Sequence, residues 1–327
     1  MLKYVIKRLV LVLVVLLGVM FVVFTINFIS PTDPIDVIVG ADAAAEVKEA
    51  KRVEMGLDQP YLTQLFNYAK GVITKLDLGT SWSTKTSVRD DILARFPYTF
   101  KLAILAIALA SIIGIPLGII SAVKQNSVLD YICTFLALIG ASMPSFWLGL
   151  MLIILFALNM GWFPATGLET WKSYILPVFA TGVYPVATIM RTTRASMLEV
   201  IRQDYIRTAR SKGMTEKKVI MKHALKNAII PVITVVGMQL GFVLGGVMVL
   251  EAVFSIPGVG SLLKVAIGKK DNPTIQGCVL FSSFVMCAVN LIVDILYAFI
   301  DPRIKAQYSS STKRLQKIAK KEAAANA

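Results

Sequence analysis

The residues able to do chemistry are few and scattered. The one histidine, His223, lies in a basic stretch with no second imidazole. Metal sites are built from several His, Cys or carboxylate groups, so a lone His makes a poor ligand set. Cys133, Cys278 and Cys287 are odd in number, lack C-x-x-C spacing and fall in or beside apolar runs. They give neither a disulfide framework nor a zinc site. Gly268-Lys269 is followed by Lys270 rather than Ser or Thr, and no Gly stands five residues before Gly268, so no phosphate-binding loop is present. Neither H-E-x-x-H nor G-x-S-x-G occurs. The expectation is a chain with no catalytic residue, no metal site and no cofactor of its own. Any work it performs draws on a gradient or on another subunit.

Polar groups within the long apolar runs are equally sparse. Asp294 is the clearest, and a carboxylate in such a place is costly enough to be a functional candidate. A polar contact to a neighbouring helix explains it as well. Gly237, Gly241 and Gly245 recur at four-residue spacing, which lets helix backbones approach closely. Gln239 lies between them; it lines a path or hydrogen-bonds across helices, and spacing alone leaves both readings open.

The elements that must position these residues are set by composition. Of 327 residues, 56% are hydrophobic and 17% charged, with a mean hydropathy of +0.70. That is the composition of a membrane protein. The net charge of +14 does not point to nucleic acid, because its basic residues cluster beside apolar runs, as in cytoplasmic loops.

A bilayer core about 30 Å thick takes about 20 apolar residues of helix. Six segments qualify: Leu9–Ile29, Leu102–Val123, Tyr131–Leu158, Ser173–Met190, Ala228–Leu250 and Gly277–Ile300. The first is too long for a signal-peptide core, and no small-x-small cleavage site follows it, so it reads as a retained helix. Six spans put both termini on one side. The N-terminus carries Lys3, Lys7 and Arg8 with no acid, the loop 191–227 has ten basic and three acidic residues, and the tail from Asp301 has seven and two. The segment 30–98 has eight basic and ten acidic residues. The positive-inside rule therefore places the termini and the 191–227 loop in the cytoplasm, in a multi-pass protein of the cell membrane.

The fold expected is all-α. Its parts are residues 1–29 (N-terminus and first span), 30–98 (extracytoplasmic helical segment), 99–303 (spans two to six) and 304–327 (basic cytoplasmic tail). Within 30–98, "YLTQLFNYAKGVITKL" sets Leu62, Leu65, Phe66, Ala69, Val72, Ile73 and Leu76 on one helical face. Such a face caps the outer ends of the spans or docks an external partner, and periodicity favours the cap.

The loop "LEVIRQDYIRTARSKGMTEKKVIMKHALKNAIIP" reads as two short helices. The first covers Leu198–Ser211, with Leu198, Ile201, Tyr205 and Thr208 or Ala209 on one face. Gly213 breaks it, and a second helix starts at Thr215 with an acid in its first turn. Such an elbow is either an amphipathic loop on the lipid surface or a lever that fits a groove on a cytoplasmic partner.

This loop resembles the cytoplasmic loop of permease subunits of ATP-binding-cassette (ABC) importers, whose pattern is Glu-Ala-Ala, three residues, Gly, nine residues, Ile-x-Leu-Pro. Ala209 and Gly213 match the second Ala and the Gly, and Leu225 matches the Leu. Arg207 and Thr208 stand for Glu and the first Ala, His223 for the Ile and Lys226 for the Pro. "DYIRTARSKG", "KHALKNAIIPV", "GMQLGFVLGG", "EAVFSIPGVGSLL", "DPRI", "DLGTSW" and "SMPSFWLGL" resemble the B-type permease of the dipeptide/oligopeptide/nickel branch, and "GLDQP" extends the likeness to Gly56.

The resemblance implies a six-span permease half of an importer that alternates access to its path. It implies a homologous second permease, two cytoplasmic ATPases that carry the ATP and Mg, a substrate-binding protein outside and a lipid bilayer around. Gly213 would mark the elbow's turn, with Asp204, Tyr205, Arg207 and Ala209 on the helix that enters an ATPase groove and Leu225 behind it. The segment 30–98 becomes a docking platform. Di- or oligopeptides are the expected cargo, with glutathione, nickel or metal chelates as alternatives. Two readings outside the resemblance remain: a secondary transporter or channel that works without ATP, and a scaffold that transports nothing.

Overall fold

The computed structural model describes residues 2–30, 33–40 and 42–300. The basic tail expected over 304–327, and the DPRI stretch before it, lie outside the described residues. The described chain is helical, and its one β-type pairing is an isolated bridge between Thr80 and Ser87.

In chain order the helices are α1 (Leu2–Ile29), α2 (Pro34–Val39), α3 (Ala45–Glu54), α4 (Tyr61–Lys75), α5 (Val88–Val123), α6 (Val128–Ser142) and α7 (Ser145–Leu152). Then come α8 (Ile175–Ile201), α9 (Asp204–Ser211), α10 (Glu216–Lys218), α11 (Leu225–Gly246), α12 (Met248–Val253), α13 (Val259–Gly268) and α14 (Asn272–Ile300). A π-helical turn, Ile153–Asn159, prolongs α7, and another, Val219–Ala224, joins α10 to α11.

Five helices are long and apolar enough to cross a membrane, and a sixth span exists if α6 and α7 count together. That last pair corrects the sequence reading. Tyr131–Leu158 reads as one long tilted helix, but the chain bends by 99° between α6 and α7. Met143, before Pro144, is extended (φ −79°, ψ 127°) because the proline ring crowds the α conformation of the residue before it. The other spans exceed their apolar cores. α5 starts at Val88, where Ser87 Oγ accepts from the Asp90 amide, and its 36 residues run about 54 Å.

Glycines set the closest helix contacts. A Cβ on Gly114 would meet Val186 O at 2.9 Å, one on Gly118 would meet Met190 O at 2.6 Å, and one on Gly182 would meet Ala106 O at 3.2 Å. Rising numbers on α5 thus face rising numbers on α8, so these helices run side by side in the same direction. On α11 the order reverses: Gly237 faces Val293, Gly241 faces Asn290 and Gly245 faces Met286, so α11 and α14 are antiparallel. α1 is antiparallel to α14 as well, since Arg8 meets Asp294. These directions bring the start of α1, the ends of α5, α8 and α14, the start of α11 and the elbow α9–α10 to one end of the bundle.

The main core lies between α5, α7, α8, α11 and α12, where Leu102, Ile107, Leu152, Leu176, Val243, Leu250 and Phe254 are buried together. The outward surface of α1 and α6 is largely apolar, with Leu13, Val14, Phe21, Phe135 and Leu136 exposed. A soluble domain would not leave so continuous an apolar surface bare; hydrocarbon is its natural solvent.

Candidate functional site: the elbow between α8 and α11

The elbow begins with a break. The expected helix Leu198–Ser211 is two helices, because α8 ends at Ile201 and Gln203 is extended (φ −73°, ψ 149°). α9 then restarts with Asp204 in its first turn, where an acid complements the helix dipole. The break rotates the helix. Ile206 and Ala209 are its buried residues, while Tyr205, which helical spacing sets on one face with Leu198 and Ile201, is 43% exposed. Ile206 and Ala209 pack with Ala122 of α5, Met197 of α8, Val219, Ile220 and Ala224 of the π turn and Ala228 of α11. This small helix leans chiefly on the π turn that leads into α11, and its buried residues share one apolar cluster with α5 and α8.

The turn after α9 is closed by backbone geometry. The Met214 amide donates to Ala209 O at 3.4 Å and the Gly213 amide to Arg210 O at 2.9 Å. This is the paired pattern of a glycine-terminated helix, and Met214 completes it by packing on the same apolar cluster. Gly213 sits at φ +75°, the left-handed region where glycine carries no Cβ penalty. Nothing lies within 4 Å of where its Cβ would be, so the residue is chosen for conformation and not for space.

Side chains brace the turn. Arg210 donates from Nε and Nη2 to the two oxygens of Glu216, at 3.1 and 2.7 Å, and this bidentate contact raises the Arg210 pKa further. Asn227 Nδ2 donates to Tyr205 Oη at 2.8 Å, tying α9 to α11. Leu225 is half-buried against the cluster. Asp204, Arg207, Lys212 and Gly213 face outward. The elbow therefore presents a mixed-charge tip on an apolar root. His223 is half-buried and its Nε2 has no partner. Among the described residues, no group of three or more His, Cys, Asp or Glu side chains is placed to hold a metal.

The remaining candidates lie elsewhere. Gly237, Gly241 and Gly245 form the face of α11 that meets α14. Gln239, half-buried between them in sequence, has a buried Oε1 with no hydrogen-bond partner. Asp294 receives an ion pair from Arg8 Nη1 at 2.8 Å. Neither Gln239 nor Asp294 adjoins the elbow cluster.

Two polar clusters were not singled out from sequence. Asp130, buried at the start of α6, accepts from Arg194 Nε and Nη2 at 2.8 and 2.7 Å, from Ser121 Oγ and from the Asn126 amide at 3.0 Å. Glu251, fully buried on α12, accepts from Thr99 Oγ1 at 2.6 Å and the Ser261 amide at 2.9 Å. The Val259 amide donates to the same Thr99 oxygen at 3.0 Å. This carboxylate pins the loop 254–260 to α5, and burial pushes its pKa up. The sequence signal for Asp130 was a lone acid entering an apolar run behind the cap Ser127.

A bundle of apolar helices with a braced basic elbow at one end defines a multi-pass membrane protein. The comparisons name its family. Residues 114–306 match the binding-protein-dependent transport system inner membrane component, and residues 1–103 match the N-terminal component of such systems. The chain is 43% identical over 333 residues to the dipeptide transport system permease protein DppB of Alkalihalophilus pseudofirmus, covering 93% of this chain and 100% of that one. It is 43% identical over 305 residues to the glutathione transport system permease protein GsiC of Pectobacterium atrosepticum, and 42% to that of Escherichia coli K12, covering 93% of this chain and 99% of each. A chain of the inward-facing MetNI methionine ABC transporter superposes with a TM-score of 0.56 at 16% identity, over 64% of this chain and 96% of that one. A chain of an amino acid ABC transporter gives 0.50 at 14%, over 66% and 94%. These two likenesses are of fold.

The protein belongs to the binding-protein-dependent inner-membrane transport components, and within them to the B-type permeases of the peptide ABC importer branch.

Proposed function

We propose that this chain forms one half of the path of an ATP-driven importer for small peptides, with both termini and the elbow in the cytoplasm. The class of cargo rests on its relatives: one is named for dipeptide and others for glutathione, itself a short peptide. In this reading a second permease completes the path, a binding protein delivers cargo from outside, and two ATPases below hold the ATP and Mg.

The observation that carries the reading is the elbow's construction. Its tip offers Asp204, Arg207 and Gly213 to a partner, while its root, Ile206 and Ala209, is locked among α5, α8 and α11. A push on the tip is delivered to three spans, because close-packed cores pass strain on. Arg194 extends the linkage from α8 to α6 through Asp130. ATP-driven approach of the two ATPases would then rock the spans between outward-open and inward-open arrangements as near-rigid bodies.

Purification of the intact complex from its native membrane tests this. Stoichiometric ATPase subunits that cross-link to a cysteine placed at Arg207 support the reading. Cargo uptake by the isolated chain without ATP overturns it. A binding assay of the co-purified external protein against dipeptides, longer peptides, glutathione and nickel chelates decides the cargo.

A further inference from the structure

Beside the first span lies a cavity of about 400 Å³. This is within the range of about 300–1,000 Å³ that holds small ligands. α1 lines it through Leu17 and Met20, α4 through Ile73 and Leu76, and α14 through Phe281 and Phe284. Leu17, Ile73, Leu76 and Phe284 are all exposed, so the cavity opens sideways, toward hydrocarbon. Its lining is apolar apart from one residue, Arg89 in the first turn of α5. No ion pair or hydrogen bond links that guanidinium to any other described residue.

The depth of the cavity follows from the ion pair between Arg8 and Asp294, which fixes where α1 and α14 are level. Met20 is twelve residues along α1 from Arg8, and Phe281 thirteen residues along α14 from Asp294. Both therefore stand about 18–20 Å from the pair. Arg89 is higher. Its neighbour Val88 packs against Gly277, seventeen residues from Asp294, or about 25 Å along the helix. In a hydrocarbon core about 30 Å thick, the cavity reaches from Leu13, about 8 Å along α1 from the pair, across the midplane and into the remote leaflet, with Arg89 at its headgroup edge.

We infer that this cavity is a binding site for a single membrane phospholipid, one acyl chain lying between α1, α4 and α14 and the phosphodiester paired with Arg89. The charge decides for phospholipid over an apolar protein helix. An unpaired guanidinium at the rim of an apolar slot near the interface is matched by a phosphate, which it engages through two parallel N–H groups. The bound lipid would tie α4, which otherwise leans on α1 chiefly through Tyr61 and Tyr68, to the membrane face of α5 and α14. The inference is independent of the cargo and of the ATPase partners.

The test uses the full-length chain in vesicles of phosphatidylethanolamine and phosphatidylglycerol that include a tracer with a diazirine in mid-acyl chain. Labelled peptides are mapped by mass spectrometry, with Phe135 and Leu136 on the exposed face of α6 as the bulk-lipid reference. Labelling of the peptides around Leu17, Ile73 and Phe284 is expected to exceed the reference. It is expected to fall roughly tenfold in Arg89→Gln, as loss of one charge-assisted contact implies, and to persist in Arg89→Lys. Leu17→Trp, which fills the slot from another helix, is expected to abolish the excess with Arg89 intact. Labelling no greater than on α6, or unchanged in both Arg89→Gln and Leu17→Trp, overturns the site. So does a photo-cross-linker at Ile73 that captures protein and not lipid in native membranes.

Discussion

Arg194, seven residues before the end of α8, grips both carboxylate oxygens of Asp130 in the first turn of α6. The Asp130 side chain is 3% exposed and that of Arg194 28%, so the pair is closed on one side and partly wet on the other. Removing one partner of a buried pair strands the other, at a typical cost of about 3–5 kcal/mol. Asp130→Ala is expected to destabilise the chain by about that much, read as thermal melting in detergent. Replacing both residues with apolar ones, Asp130→Leu with Arg194→Met, is expected to recover part of the loss, because no unpaired charge is left behind. Equal melting of wild type and Asp130→Ala would show that the pair carries no strength.

Gly213→Asp separates coupling from folding. With no atom near the position of its Cβ, the substitution meets no clash. An Asp in the left-handed region costs at most about 1–2 kcal/mol. Membrane insertion and melting are therefore expected to change little. The added acid stands at the exposed tip of the elbow, and a loss of about 1.4 kcal/mol in docking is a tenfold loss in affinity. ATP hydrolysis in the assembled complex is expected to continue while uptake per ATP falls. Unchanged uptake per ATP would remove Gly213 from the coupling surface.

What could be read in advance divides along the range of the interactions. The spans are visible because a bilayer demands long apolar runs, and Gly213 is visible because a helix followed by a reversal needs a residue at positive φ. The 99° bend between α6 and α7 is hidden in a run that stays apolar throughout. Its only local mark is Met143 before Pro144. The start of α9 at Asp204 has no comparable mark, so an unbroken helical period groups Tyr205 with Leu198 and Ile201, whereas Ile206 is the buried residue. Asp130 and Arg194 stand 64 positions apart, and Thr99 and Glu251 stand 152 apart. Such partners are joined by the packing of helices, which periodicity does not report.

Glu251 gives the loop 254–260 a dependence on pH. Burial raises its pKa above the ordinary 4.5, so the closed loop holds this proton more tightly than the opened one. The closed form is then favoured fully below about pH 4.5, and the advantage is lost as pH rises through the raised value. Amide exchange of residues 254–262, corrected for intrinsic rate, is expected to be slower at pH 5 than at pH 7.5. Glu251→Gln, neutral throughout, is expected to remove that difference. A pH difference that survives in the variant would assign it to another group.

Gly237 and Val293 decide between packing and path for the small-residue face of α11. A Cβ on Gly237 would overlap both methyl groups of Val293, so Gly237→Ala must push α11 from α14 or bend side chains off their rotamers. Overpacking of this kind costs about 1–3 kcal/mol. Val293→Ala opens the space that the new methyl needs, so the double variant is expected to be more stable than the sum of the single losses by about 0.5–3 kcal/mol. Melting of the four proteins in one detergent reads that coupling directly. Strict additivity would mean that the two residues do not touch in the membrane, and would leave Gly237, with Gln239 two residues on, free to face the translocation path.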